Sequence, residues 1–263
     1  MISRYSVLRG SYLEKIDNNL LILDVSYQPP KYDQQRHEIA GLPGYDEASK
    51  VLRELSVTIT FELHIYDIVK RQAALQKVIQ WAKVKGRKMY INDRSPIKNN
   101  VGDYYLEAEL SDYPSIASVR NWTAPLSLTF TTVGIPYWQN TTLTQLVLSG
   151  KTASGSMTVP GTGDEALVSV TVTAKEKITK ITLQAGSTKI VLEKISVAKD
   201  KKIELTYTNG RFLSIKVDKT SLLDKVTAAS SDNLKVSCNT KATIKVDASG
   251  KVSATFTARG LWV

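Results

Sequence analysis

Ser56-Val57-Thr58-Ile59-Thr60-Phe61-Glu62-Leu63-His64-Ile65 is the stretch that decides the fold. Apolar Val57, Ile59, Phe61, Leu63 and Ile65 alternate with Ser56, Thr58, Thr60, Glu62 and His64, and the pattern can be followed back over most of the run to Val51. A period of two puts one set of side chains on a core and the other toward water, which is a half-buried β-strand. Directly afterwards the period changes. Asp67 stands where a helix cap is needed, Ile68, Leu75, Val78, Ile79 and Ala82 recur at helical spacing, and Gly86 is placed to stop the helix.

Working outward, the strand period returns. Met89-Tyr90-Ile91 reads as a strand followed by a turn-rich Asn92-Asp93-Arg94-Ser95-Pro96, and Tyr104, Leu106, Ala108 and Leu110, then Leu126, Leu128 and Phe130, alternate again. The first half is therefore a sheet with one helix packed on it. Gln28-Pro29-Pro30 opens a polar stretch running through Gly41-Leu42-Pro43-Gly44-Tyr45 to about Lys50, too long for an ordinary connection and expected to be an arm. Pro136-Tyr137-Trp138-Gln139-Asn140 closes the aromatic-rich half, and the domain boundary is expected there, giving domains 1–140 and 141–263.

The second half is strand after strand. Val168, Val170 and Val172 alternate with Ser169, Thr171 and Thr173, and Ile203, Leu205 and Tyr207 with Lys202, Glu204 and Thr206. Asn209-Gly210 is a hairpin turn leading into Phe212 to Val217, because both residues tolerate positive φ. Leu234, Val236 and Cys238 share a face, as do Ala242, Ile244 and Val246, and Val252, Ala254 and Phe256. Short strands with frequent turns predict a β-sandwich. The fold class expected for the chain is mainly β, an N-terminal β-sandwich with one packed α-helix plus a C-terminal β-sandwich.

Composition limits what such a chain can do. Its 263 residues are 42% apolar and 23% charged, so it should fold, and at this length two domains are expected. A single cysteine, Cys238, excludes an intramolecular disulfide and a Cys-rich zinc site. No run approaches the ~18 apolar residues of a membrane span, and Met1 to Tyr12 lacks the apolar core of a signal peptide. A soluble protein made in a cytosol is the expectation, with no membrane insertion. The net charge of +10 is unevenly held: residues 1–140 carry 17 Lys and Arg against 15 Asp and Glu, and the remainder 18 against 10. Aromatic residues do the opposite, with only Tyr207, Phe212, Phe256 and Trp262 after residue 140. A single-strand nucleic-acid platform needs rings inside a basic groove, and the sole helix lacks a reader's basic composition, so sequence-specific nucleic-acid binding is not expected.

Chemistry-bearing motifs are sparse. His37 lies in the polar arm and His64 on the polar face of its strand, with no Gly-x-Ser-x-Gly elbow to mark a nucleophile. Ser149-Gly150-Lys151-Thr152 resembles the end of a phosphate loop, but Gln145 stands at the first glycine and a Ser/Gly-rich stretch replaces the helix. Cys238 reads as a small core residue. Eight lysines between Lys175 and Lys202 read as a solvated face, with an anionic-polymer site as the sharper alternative. Asn121-Trp122-Thr123 and Asn140-Thr141-Thr142 match the glycosylation pattern, idle without secretion. No catalytic residue, cofactor or metal site is expected.

The Gly-Leu-Pro-Gly-Tyr-Asp loop, the Ser56 to Ile65 strand, the helix ending near Trp81, Tyr90-Ile91-Asn92-Asp93, Tyr104-Tyr105-Leu106 with Ala108, and Phe130 through Pro136-Tyr137-Trp138 together resemble the distal tail proteins of siphophages. The second half is similar to the galectin-like β-sandwich of the larger members, with Cys238-Asn239 where relatives have Gly-x-Asn. The resemblance implies a non-enzymatic hub of a phage or prophage tail tip. In that role residues 1–140 form a hexameric ring of like copies, joining the tail tube protein to the tail spike or tail-associated protein and the receptor-binding proteins, and letting DNA pass. Its place would be the virion tail tip, after assembly in the host bacterial cytoplasm. Pro43, Gly44, Tyr45, His64 and Tyr137 are the expected subunit or partner contacts. A carbohydrate- or cell-wall-polymer-binding module aiding host adhesion is the alternative reading.

Overall fold

In a computed structural model, which describes residues 4–30, 32–38, 45–86, 88–93, 104–114, 125–208 and 212–262, the chain divides into two compact units, Met1–Trp138 and Gln139–Val263. For 32–38, 45–52, 93 and 208 only the backbone is described.

The first unit runs β1 (Tyr5–Arg9), β2 (Ser11–Tyr12), β3 (Leu20–Gln28), β4 (Tyr32–Glu38), β5 (Tyr45–Leu52), β6 (Ser56–Leu63), α1 (Ile68–Ala82), β7 (Lys88–Asp93), β8 (Tyr104–Asp112) and β9 (Leu126–Thr132). The decisive stretch is β6, with Val57, Ile59, Phe61 and Leu63 buried and the residues between them half-exposed. It is central in an antiparallel sheet of order β3-β6-β9-β8, where Ile59 faces Val25 on one side and Leu128 on the other. β8 also pairs through Lys88 and Met89 with β7, and β7 continues to β1 and β2. The helix closes this core with Ala74, Leu75, Val78, Trp81 and Ala82, Trp81 meeting Phe130 edge-on at 6.1 Å.

Several sequence expectations shift here. Val51 belongs to β5, not to β6. The Gln28 to Lys50 excursion is a two-stranded antiparallel sheet of its own, β4 against β5, with a register shift at Gln35/Arg36. Asp67 does cap α1, accepting from the backbone N–H of Val69 and Lys70, but Ile68 is 59% exposed, and the buried face begins with Arg71. Arg71 turns back to donate to the carbonyls of Ile65 and Tyr66. Helix α1 ends at Ala82 with Lys83 as its cap, and Gly86, at φ +65°, serves the turn into β7.

The second unit holds β10 (Trp138–Thr158), β11 (Glu165–Ala174), β12 (Ile181–Ala185), β13 (Thr188–Leu192), β14 (Lys202–Thr208), β15 (Phe212–Val217), β16 (Thr220–Ser221), β17 (Lys235–Ser237) and β18 (Lys241–Trp262). The Ala242 and Val252 segments, which read as two short strands, are one 22-residue strand. Its first half pairs with β12 and its second with β11, so one strand serves two different neighbours along its length. Its even-numbered residues face inward almost throughout, including Gly250. A Cβ on Gly250 would stand 2.7 Å from the Lys177 carbonyl oxygen. Strand β10 bends. An added Cβ at Gly155 would lie 3.0 Å from the Leu148 side chain, whereas seven residues of straight strand span roughly 23 Å. The bend falls at Gly150, whose φ of +141° suits glycine, and across it the inward positions change from Leu148 to Met157 parity. The molecule is mainly β with one α-helix among the described residues, as its sequence pattern required.

Candidate interaction surface

The residues expected to make contacts lie in different settings. Pro43 and Gly44 fall outside the described residues. Tyr45 opens β5 with its backbone opposite Glu38. His64 is exposed at the end of β6, its backbone N–H donating to the Asn19 carbonyl and its Nε2 3.0 Å from Glu62 Oε2. Tyr137 is only 8% exposed in the single chain. Beside it Trp138 packs on the core of the first unit and meets Tyr27 edge-on at 6.0 Å.

Beyond His64 the chain exposes Tyr66 (76%), Ile68 and Val69 (74%) around the start of α1. Helical spacing alone assigned Ile68 to the core; the buried face instead begins one turn later, at Arg71. A second feature that spacing could not show is Arg9, 1% exposed at the end of β1. Its guanidinium donates to the carbonyls of Ala108 and Val84 and lies over the Phe130 ring at 5.2 Å, tying β8 to the chain that leaves α1. Burial lowers its pKa, and the charge of Glu109 opposes that shift.

Catalytic chemistry has little to build on among the described residues, where no cluster of three His, Cys, Asp or Glu could hold a metal. Cys238 is half-buried, and desolvation pushes its thiol pKa up, away from a reactive thiolate. Gly150-Lys151-Thr152 lies inside β10, not at a helix N-terminus. Asn140 of the glycosylation pattern is engaged: its Oδ1 accepts from Trp262 Nε1, while Arg259 donates to the carbonyls of Asn140 and Thr141. On the second unit, Thr152, Ser154, Thr182, Gln184, Lys245 and Asp247 line a shallow groove of about 490 Å³ with no aromatic residue. No helix among the described residues is long and apolar enough to cross a membrane.

No protein-family model matches the chain, and no curated protein matches it in sequence. Solved structures do. The Dit (gp 19.1) protein of phage SPP1, described as a paradigm of hub adsorption apparatus in phages infecting Gram-positive bacteria, superposes with a TM-score of 0.69 over 97% of this chain and 98% of that one, at 10% identity. The chain has the fold of a phage distal tail hub protein. Chains of the phage P2 baseplate in its activated conformation, with Ca and with Sr, align at TM-scores of 0.49 and 0.48 and 9% identity. Because the Dit fold is matched over nearly the whole length of both chains, the likeness includes the first unit with its helix and the second, all-β unit.

Proposed function

We propose that the protein is a structural hub of a phage or prophage tail tip, without enzymatic activity. In this reading it forms a hexameric ring that joins the tail tube to the tail spike and receptor-binding apparatus, and DNA passes through it. The Dit fold over 97% of the chain is the observation that carries it. Two others support it. Tyr66, Ile68 and Val69 are exposed in the unit that holds most of the aromatic residues, and exposed apolar and aromatic side chains suit protein contacts. The ladder of β4 and β5, separate from the main sheet, suits an arm reaching a like copy, with Tyr45 opening β5. Cyclic closure lets identical patches satisfy one another. Light scattering of the full chain over a concentration series, with negative-stain imaging, tests this. Rings with the mass of six copies are expected, and a monomer at the highest concentration with no rings on the grid overturns the proposal.

The polar groove on the second unit favours a second reading, adhesion to a carbohydrate or cell-wall polymer, with the galectin-like sandwich as the binding module. Its lack of an aromatic platform places it behind the hub reading.

A further inference from the structure

Strands β10, β12 and β18 line the shallow groove of the second unit, and the register sorts its side chains. Thr182 stands opposite Asp247, and Gln184 opposite Lys245. Thr152 and Ser154 of β10 line the same groove. Lys245 and Asp247 are exposed on one face of one strand, two residues apart, which sets their backbone positions about 7 Å from each other. Among the described residues neither forms an ion pair, whereas Lys180, within the field of Asp247, is taken up by Glu193 at 2.7 Å. Asp247 is held in place: Thr152 Oγ1 donates to its Oδ1 at 2.9 Å and leaves Oδ2 to a ligand. The Ser154 and Thr182 hydroxyls have no partner among the described residues.

A fixed carboxylate, an unpaired ammonium and spare hydroxyls, with no aromatic ring, narrow the ligand by chemistry. A neutral sugar would find no ring to stack on and would strip water from both charges without replacing it. A purely negative ligand meets Asp247 and a purely positive one meets Lys245, each a like-charge contact that opposes binding. A group with two opposite charges one strand period apart satisfies both. An α-amino acid is too compact for that span, because its charges share one carbon. Phosphate suits the anion, since its several acceptor oxygens can take the Lys245 ammonium and the Ser154 hydroxyl together.

Resting on the groove reading above, we propose that this groove takes a zwitterion, a phosphate joined through a short chain to a primary ammonium, with the phosphate on Lys245 and the ammonium on Asp247. Each copy then carries one weak site, and an assembly of copies multiplies it.

Ligand-observed NMR of the full chain at near-physiological salt tests this with three small probes, O-phosphorylethanolamine, ethyl phosphate and ethylamine. The zwitterion should bind about tenfold tighter than either single charge. Asp247→Asn should lose that preference and take ethyl phosphate better than the parent does; Lys245→Gln should lose it and take ethylamine better. Lys216→Gln, at an exposed position of β15 outside the groove, should keep it. Vesicles holding phosphatidylethanolamine, and poly(glycerol phosphate) carrying ester-linked alanine, each set against its amine-free counterpart, separate a lipid headgroup from a wall polymer. The source is the one whose preference disappears in Asp247→Asn. Equal binding of the three small probes, or a preference for the zwitterion that Asp247→Asn keeps, overturns the proposal. Polymer binding that still depends on Lys245 after that result leaves the groove reading standing, and its loss removes both. Ring mass, which none of these variants should change, reports on the hub reading separately.

Discussion

Trp138 and Tyr207 show how single side chains hold the two units in different ways. Trp138 is half-buried, lies on the core of the first unit and meets Tyr27. We predict that Trp138→Ala lowers the unfolding free energy by about 2–3 kcal/mol, somewhat less than for a fully buried aromatic, without altering ligand binding by the second unit. Unchanged thermal unfolding combined with loss of wall-polymer binding would make it a binding residue instead. Tyr207 accepts from the Leu234 N–H at 2.8 Å and donates to its carbonyl at 3.2 Å, and desolvation pushes its pKa up to about 12. A raised folded-state pKa means the unfolded chain loses the phenolic proton first. The stabilisation is therefore complete below pH ~10 and lost between ~10 and about 12, amounting to about 3 kcal/mol. Tyr207→Phe should be less stable than the parent by about 1 kcal/mol at pH 8, and that gap should close or reverse above pH ~11 in denaturant titrations. A gap independent of pH would show that the hydroxyl is not desolvated.

At the scale of elements, β18 ties the second unit together, since its two halves pair with different strands. Between them stands Gly250, where the nearest obstacle to a side chain is rigid backbone, the Lys177 carbonyl, with the Glu176 side chain beside it. Gly250→Ala is expected to destabilise this unit by roughly 1–3 kcal/mol through forced displacement. An unchanged denaturant midpoint would mean the corner is looser than these distances require. In α1 the cap is separable from the packing: Asp67 serves two N–H groups on an exposed turn, so Asp67→Ala should cost about 1 kcal/mol in denaturant titrations with the helix still formed by circular dichroism. An unchanged midpoint would show that the cap adds nothing to stability.

For the whole molecule, charge is divided by unit. Lys180, Lys201, Lys235 and Lys251 of the second unit are paired with Glu193, Asp218, Glu165 and Glu176 at exposed positions on different strands and turns. Such dispersed surface pairs add little stability and make no single focus. We therefore predict weak binding of the full chain to duplex DNA, single strands and anionic wall polymer alike, falling steeply with salt. Selectivity for wall polymer that survives near-physiological salt, and is lost in Lys245→Ala, would promote the groove and the adhesion reading over the hub.

The sequence by itself determined the elements that depend on one local period. β6 and α1 were legible because alternation and a capping Asp67 are properties of neighbouring residues, and the mainly β class followed from their repetition. Tertiary structure alone decided what requires distant residues to meet. Arg9 is buried because carbonyls 75 and 99 residues away await its donors. Ile68 is exposed while Arg71, one turn on, is buried with its donors on the Ile65 and Tyr66 carbonyls, and the Ala242 and Val252 runs fuse because β12 pairs with the first half of the strand and β11 with the second, pairings between distant residues that no local pattern specifies.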